Sequence, residues 1–418
     1  MQKLIVDGGM PLKGDIDIQT AKNAVLPIIA ACILTEDTVV IKNCPRLNDL
    51  SAMIDILHHL GCSAAFNGAD LEICCENVAL NAINSDLTGK LRSSIFILGP
   101  LLSRFRRAFI SHPGGCEIGL RPIDLHISGL KALGVKIDDN HGDICCDGSL
   151  MSPATVSLDF ASVGATENIM MAAVLIPGET VIVNAAREPE IVDLAEFINA
   201  MGGDIRGAGG SVIKVRGVKK LHGTVYKPMP DRICAGTVLT ALVSAGGEVR
   251  LNNIVPDHIF GITERLKKMG MDIDFAERAL TAKFEGRPRA VHKLETHVYP
   301  AFPTDMQPQF CAALSTATGS SVIVENLFEN RFGFTAELQK MGAVITVKDR
   351  VAVIRGVPSL SGAVVRASDL RGGAALTVAA LGAKGRSVIY GVNHIDRGYE
   401  KIENMLSSLG ASIIRDEE

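Results

Sequence analysis

A chain of 418 residues is too long for one ordinary hydrophobic core, so two domains of about 200 residues each are the natural division. Hydrophobic side chains make up 47% and aromatic ones only 4%, with 41 glycines and no tryptophan. That mix suits short strands and closely packed Ala/Leu/Ile helices and excludes disorder. The formal charge of −4, with no Lys/Arg run, excludes a nucleic-acid partner, and no uncharged apolar run is long enough to span a membrane.

The opening Met1–Asp7 stretch reads as a strand and not as a leader, and a strand ending near Thr20 precedes the first helix, at Ala21-Lys22-Asn23. From there a phrase recurs, Leu or Met before Gly and then a short strand. It stands at Gly61, Gly134, Gly202, Gly270, Gly342 and Gly410, a period of about seventy residues that marks six copies of one unit. Each unit carries an Ala-rich helix, as in Gly236–Gly246, and then a strand such as Val181–Val183 or Val322–Val324. A polar loop and an amphipathic helix follow, the latter closed by the recurring glycine. The Ala-rich helices are apolar on every side. They should lie buried with sheets around them, an inversion of the usual α/β barrel.

Tyr226-Lys227-Pro228-Met229-Pro230 breaks both helix and ladder and leaves three units on each side. The domains expected are 22–229 and, with the N-terminal strand crossing over, 1–21 plus 230–418. A ligand cleft between the two lobes is the natural corollary. Ten cysteines form no CxxC pair, and nine of them, including the doublets Cys74-Cys75 and Cys145-Cys146, read as reduced core packing in a cytoplasmic protein.

The second unit departs from the rest. Its strand-to-helix loop, Pro113-Gly114-Gly115-Cys116-Glu117-Ile118-Gly119-Leu120-Arg121-Pro122, is longer than its counterparts. It mounts a thiol among glycines, ahead of an arginine and a helix N-terminus, and both of these favour the thiolate. The corresponding loops elsewhere hold Arg46, Arg187, Arg331 and Arg397, while Lys22 and Arg371 stand at the starts of Ala-rich helices. Such cations suit a substrate with several negative charges, a phosphate with a carboxylate. Asp305, two residues after Pro303, is either a helix cap or a general base. No His/Cys/carboxylate cluster has metal-ligand spacing, and no cofactor is expected.

Eight segments in order carry a resemblance along the whole chain. They are Ala21–Ala24, Pro113–Cys116, Ser162–Thr166, Ala186–Asp193, Pro303–Gln307, Phe328–Phe332, Asp369–Arg371 and His394–Glu400. The chain resembles the UDP-N-acetylglucosamine 1-carboxyvinyltransferases, the enolpyruvyl transferases that begin peptidoglycan and cell-wall synthesis. The resemblance implies a two-domain inside-out α/β barrel that closes on its nucleotide. It also implies transfer of the enolpyruvyl group of phosphoenolpyruvate to the 3′-hydroxyl of UDP-N-acetylglucosamine, with release of phosphate. By the same likeness Cys116 is the acid that protonates C3 of phosphoenolpyruvate, can hold a phospholactoyl adduct, and is the target of fosfomycin. Asp305 looks like the base. Lys22, Arg121 and Arg397 look like ligands of the phosphoenolpyruvate anions, with Arg92, Arg331 and Arg371 in support, and Asn23 like a partner of the tetrahedral intermediate. The uridine side is similar to Arg121-Pro122-Ile123-Asp124-Leu125. Diphosphate contacts fall at Ser162, Val163 and Gly164, and a backbone contact at Leu327. Phe160-Ala161 stand where some relatives carry a lysine, and Leu120 where a smaller residue is usual. The shikimate-pathway transferases share the architecture but do not rely on a loop cysteine. A non-catalytic UDP-sugar-binding paralogue would keep the frame without releasing phosphate.

Overall fold

The structure, a computed structural model, describes residues 2–114, 122–140 and 142–417. Among these, residues 2–19 with 230–417 form one compact unit and residues 20–114 with 122–229 form the other. Thr20 and Ala21 belong to the latter, where the Thr20 hydroxyl donates to the Asn43 carbonyl and the Ala21 amide to that of Met229.

Each unit holds three sheets. In the 230–417 unit the helices Arg232–Ala245, Gln307–Leu314 and Leu370–Gly382 pack on one another, with Arg232–Val243, Gln307–Leu314 and Arg371–Leu381 buried throughout. A helix apolar on every side cannot face water, so the sheets take the outside position and offer one face to the helices and one to solvent. In the other unit the helices Lys22–Ala31, Leu98–Phe105 and Val163–Ala173 are the buried ones. The fold is the inside-out α/β arrangement expected of the repeats.

The sheets share one plan. A strand lies parallel to a second, which is antiparallel to a third, which is antiparallel to the fourth. Thr155–Ser157, Glu179–Val183, Val212–Arg216 and Asp204–Arg206 show it in that spatial order. In the second repeat the parallel strand shrinks to a single bridge between Ile83 and Ile110. The N-terminal segment forms two strands, and they serve different sheets. Lys3–Asp7 lies antiparallel to both Arg386–Tyr390 and Ser412–Asp416, filling the third position of the sixth sheet, whereas Leu12–Asp17 runs parallel to Gly247–Asn252.

Two repeated devices explain why the sequence folds this way locally. The recurring glycines 61, 134, 202, 270, 342 and 410 all have φ between 86° and 105°, the left-handed turn that ends a helix and that a side chain would disfavour. An asparagine past the second strand of three sheets ties it to its parallel neighbour. Asn184 donates to the Leu158 carbonyl at 2.8 Å, Asn253 to Ile18 at 2.9 Å and Asn326 to Thr296 at 3.0 Å. All nine described cysteines are free thiols. Within each doublet one is half-buried and the next buried, the alternation of a strand.

Candidate active-site residues

The 230–417 unit brings three of the expected residues together. Asp305 sits in the short turn Thr304–Met306 that leads into the helix Gln307–Leu314. That helix begins at Met306 without a side-chain cap, so Asp305 is not its capping residue. Its two oxygens instead take two guanidinium groups, Oδ1 from Arg331 Nη2 at 2.8 Å and Oδ2 from Arg371 Nη2 at 2.9 Å. The arginine side chains are 3% and 4% exposed and the carboxylate 27%, so the acid is the accessible member and the cations stand behind it. Burying a guanidinium is costly unless it is paired, and this carboxylate compensates two.

Arg371 is held from every side. Burial works against its charge, but the fields of Asp305, Tyr399 and Asp231 outweigh that and keep it above the ordinary arginine range. Its Nη1 donates to the Tyr399 hydroxyl at 3.2 Å, which also receives the Gln309 amide at 3.4 Å. The Thr237 hydroxyl donates to the Ile233 carbonyl, so in the 2.8 Å contact between Tyr399 and Thr237 the tyrosine is the donor. Burial raises the Tyr399 phenol further still, and it keeps its proton. Asp369 caps the helix Leu370–Gly382 by accepting from the amides of Arg371 and Gly372, both at 3.0 Å.

Leu327 is half-buried, with its amide bonded to Glu325 Oε1 at 2.9 Å. Arg397 is half-buried in the turn after the short helix Val392–Ile395. That turn is pinned on both sides. Arg415 grips Asp396 with two bonds of 2.7 Å, and Gln19 both donates to the Gly398 carbonyl and accepts from the Glu400 amide. The repeat arginines do not share one fate. Arg46 is exposed and stacks over Phe66, Arg187 is exposed, and Arg331 is buried on Asp305.

The 20–229 unit carries the other expected residues. Lys22 opens the helix Lys22–Ala31 and is buried, its Nζ 2.8 Å from Oδ2 of the buried Asp49. Asn23 beside it is half-buried. Arg92, half-buried, starts the helical turn Arg92–Ile97, which packs against both Lys22–Ala31 and Val163–Ala173. Ser162 caps the helix Val163–Ala173 by accepting from the Ala165 amide. A side chain at Gly164 would stand 3.2 Å from the His126 ring and 3.3 Å from Phe96, so glycine here lets the helix Asp124–Ala132 come close. Within that segment Pro122 and Asp124 are exposed, Ile123 and Leu125 half-buried. Phe160 is an exposed aromatic two residues before Ser162. Cys116 and Arg121 lie outside the described residues. The start of their loop is anchored, since the Gly114 amide donates to the Thr88 carbonyl and Gly114 passes too near the Gly89 backbone for any side chain.

Four residues with evident work went unassigned in the sequence. Asp49 and Glu325 gave no signal, because nothing near them in the chain names their partners. Tyr399 and Asp369 lie inside the family segments yet carry no role there. Among the described residues no three His, Cys, Asp or Glu side chains are grouped to hold a metal ion.

Sheets laid over buried helices, with a carboxylate clasped by two guanidinium groups, are found in a chain that the comparisons place among the enolpyruvyl transferases. The family described as EPSP synthase (3-phosphoshikimate 1-carboxyvinyltransferase) matches residues 6–406. The chain is similar in structure to the enolpyruvyl transferase NikO from Streptomyces tendae, with a TM-score of 0.88 and 25% identity over 99% of this chain and 98% of that one. The EPSP synthase of Acinetobacter baumannii, 18% identical with a TM-score of 0.76 over the full length of both, shares the fold. In sequence the chain is 49% identical to UDP-N-acetylglucosamine 1-carboxyvinyltransferase 2 of Caldanaerobacter subterraneus subsp. tengcongensis, over 99% of this chain and all of the relative. It is 46% identical to UDP-N-acetylglucosamine 1-carboxyvinyltransferase of Thermotoga maritima, over 99% and 98%. The chain belongs to the UDP-N-acetylglucosamine 1-carboxyvinyltransferase family.

Proposed function

We propose that this protein transfers the enolpyruvyl group of phosphoenolpyruvate to the 3′-hydroxyl of UDP-N-acetylglucosamine and releases phosphate, the first committed step of peptidoglycan synthesis. The observation that carries the chemistry is Asp305. A partly exposed carboxylate on two buried cations is placed to take a hydroxyl proton beside a developing array of negative charge. The choice of acceptor rests on relatives 43–49% identical along the whole chain.

In this reading Asp305 removes the proton as the sugar oxygen bonds to C2 of phosphoenolpyruvate, and Cys116 delivers a proton to C3. A tetrahedral phosphate-bearing adduct results. Loss of phosphate from C2 and of a proton from C3 then restores the double bond. Lys22, Arg121 and Arg397 hold the carboxylate and phosphate of the donor, with Arg92, Arg331 and Arg371 in support, and Asn23 bonds to the adduct. The uridine side of the nucleotide lies along Arg121–Leu125 and its diphosphate at Ser162–Gly164, with a further contact from the Leu327 backbone. The domain boundary is taken at Thr20, two residues before the position expected from the sequence, with 20–229 as one domain and 1–19 with 230–418 as the other. The protein works in the cytoplasm. No helix among the described residues is long and apolar enough to cross a membrane.

A phosphate-release assay with UDP-N-acetylglucosamine and shikimate 3-phosphate as rival acceptors tests the function. Turnover with the sugar nucleotide alone is expected. Binding without release would point to a non-catalytic paralogue, and release with shikimate 3-phosphate to the other branch of the fold. Cys116→Ser should keep the fold and lose most turnover, since a hydroxyl is a far weaker acid. Mass spectrometry after fosfomycin treatment should find the adduct on Cys116, and an adduct elsewhere would remove the thiol from the mechanism.

A further inference from the structure

Glu325 directly follows the strand Ser320–Val324 and is wholly buried. Four hydrogen bonds run toward its carboxylate. Oε1 receives the Thr296 hydroxyl at 2.9 Å and the amides of Leu327 at 2.9 Å and Phe328 at 3.2 Å. Oε2 receives the Thr304 hydroxyl at 2.9 Å. Thr296 closes the neighbouring parallel strand Lys293–Glu295, and its hydroxyl accepts from the Asn326 amide at 2.9 Å, so the carboxylate is braced on the sheet. One side chain thus ties three things together: the sheet edge, the residue beside Asp305, and the loop that carries Leu327 and Arg331. Arg331 then reaches back to Asp305, closing a ring whose geometry is set twice over. A buried carboxylate with every bond satisfied is a rigid joint, since releasing any one arm leaves a polar atom unsatisfied in the interior.

We propose that Glu325 is a positioning residue, fixing the distance between the Asp305 carboxylate and the Leu327 backbone so that the acceptor hydroxyl and its nucleotide are held in one register. The proposal rests on the assignment of Asp305 as base and Leu327 as a nucleotide contact. Oε2 governs the Asp305 arm and Oε1 the Leu327 arm, so the two arms can be cut separately.

The test uses the full-length protein with Thr304→Val, Glu325→Ala and Glu325→Gln, measuring phosphate release against UDP-N-acetylglucosamine concentration and nucleotide affinity by calorimetry. Thr304→Val cuts only the Asp305 arm and should lower kcat about tenfold while KM for the nucleotide stays within about twofold. Glu325→Ala frees both arms and should lower kcat and also raise KM and Kd for the nucleotide about tenfold. Glu325→Gln keeps the volume and an acceptor for the Leu327 arm, and should recover most of the affinity. A purely structural role would lower melting temperature and scale kcat alike in all three variants with KM unmoved, and that pattern overturns the proposal. So does a Thr304→Val protein with wild-type kcat, which also decides the matter should Glu325→Ala fail to fold. Asp305→Asn separates the two levels of the argument. If turnover survives it, the base assignment falls; if turnover dies there but Thr304→Val and Glu325→Ala are unchanged, only the role of Glu325 falls.

Discussion

The two units bury charge in opposite ways. The 230–417 unit buries arginines and pairs them, two guanidinium groups on one carboxylate at Asp305, so that this triad keeps a net positive charge. The 20–229 unit pairs its buried Lys22 with Asp49 and buries further acids. Glu167 is wholly buried with neither oxygen bonded among the described residues; burial, then the fields of Glu190 and Glu188, drive its pKa far up. Burial pushes Asp193 up to about 7, against the bonds from the Tyr226 hydroxyl and the Met229 amide. One unit sets two buried cations on a single carboxylate, and the other keeps protons on part of its buried acids. The helix starts differ as well. Asp369 occupies the free amides at Arg371, whereas the helix at Lys22 has Ala21 in the cap position and no side-chain cap. An anion at Lys22 can therefore use backbone N–H groups as well as the ammonium, while at Arg371 it meets side-chain charge alone.

Asp305→Ala gives the largest expected effect, because it removes the proposed base and leaves two buried guanidinium groups facing each other. Phosphate-release kcat should fall by roughly 100- to 10,000-fold. Denaturant unfolding should show a loss of roughly 3 kcal/mol, the cost of stranding buried charge. Retention of both quantities would mean that the clasp is neither catalytic nor structural.

At the Lys22–Asp49 pair, Lys22→Met should cost kcat/KM for phosphoenolpyruvate about 100-fold, since the cation at an open helix start is lost. Asp49→Asn keeps the ammonium and a hydrogen-bond acceptor and should cost only about tenfold. The reverse order in steady-state kinetics would make Asp49 the functional member and Lys22 its counter-ion.

The proton-keeping side is open to a pH test. Asp193 is raised in the folded protein above its ordinary value, so the native state holds a proton that the unfolded chain releases. The stability tied to it is present at low pH and is lost as pH rises from about 4 to about 7, with no further change above. The loss is on the order of 4 kcal/mol, and Asp193→Asn should abolish it. Calorimetric melting from pH 4 to pH 8 should show the variant gaining on the wild type through that window. A constant difference would mean that the carboxyl is ionised throughout. The smallest effect is expected at the cap, where Asp369→Ala should cost about 1 kcal/mol by chemical denaturation and leave the nucleotide KM unchanged.

Much of the frame was legible because it is written in short-range pattern. Helices apolar on every side announce burial, and a glycine after each amphipathic helix announces a left-handed stop; all six glycines adopt it. The residue pattern left Asp305 open between cap and base, since both roles put a carboxylate at a helix start, and the family segments pointed to it as the base, with Arg331 and Arg371 in support. The N-terminal segment was harder. Period-two alternation marks a strand without naming its sheet, and the chain divides there into two strands for two sheets.

By itself, then, the sequence determined the repeat, the buried helices, the stops between them and the chemical types gathered at the loops. Those follow from interactions within one or two turns of chain. Tertiary structure alone decided that the Asp305 oxygens go to arginines 26 and 66 residues away, that Lys22 meets Asp49, and that Glu325 joins two loops. A buried charge must find its partner in space, and which residue that is depends on how the sheets and helices have packed.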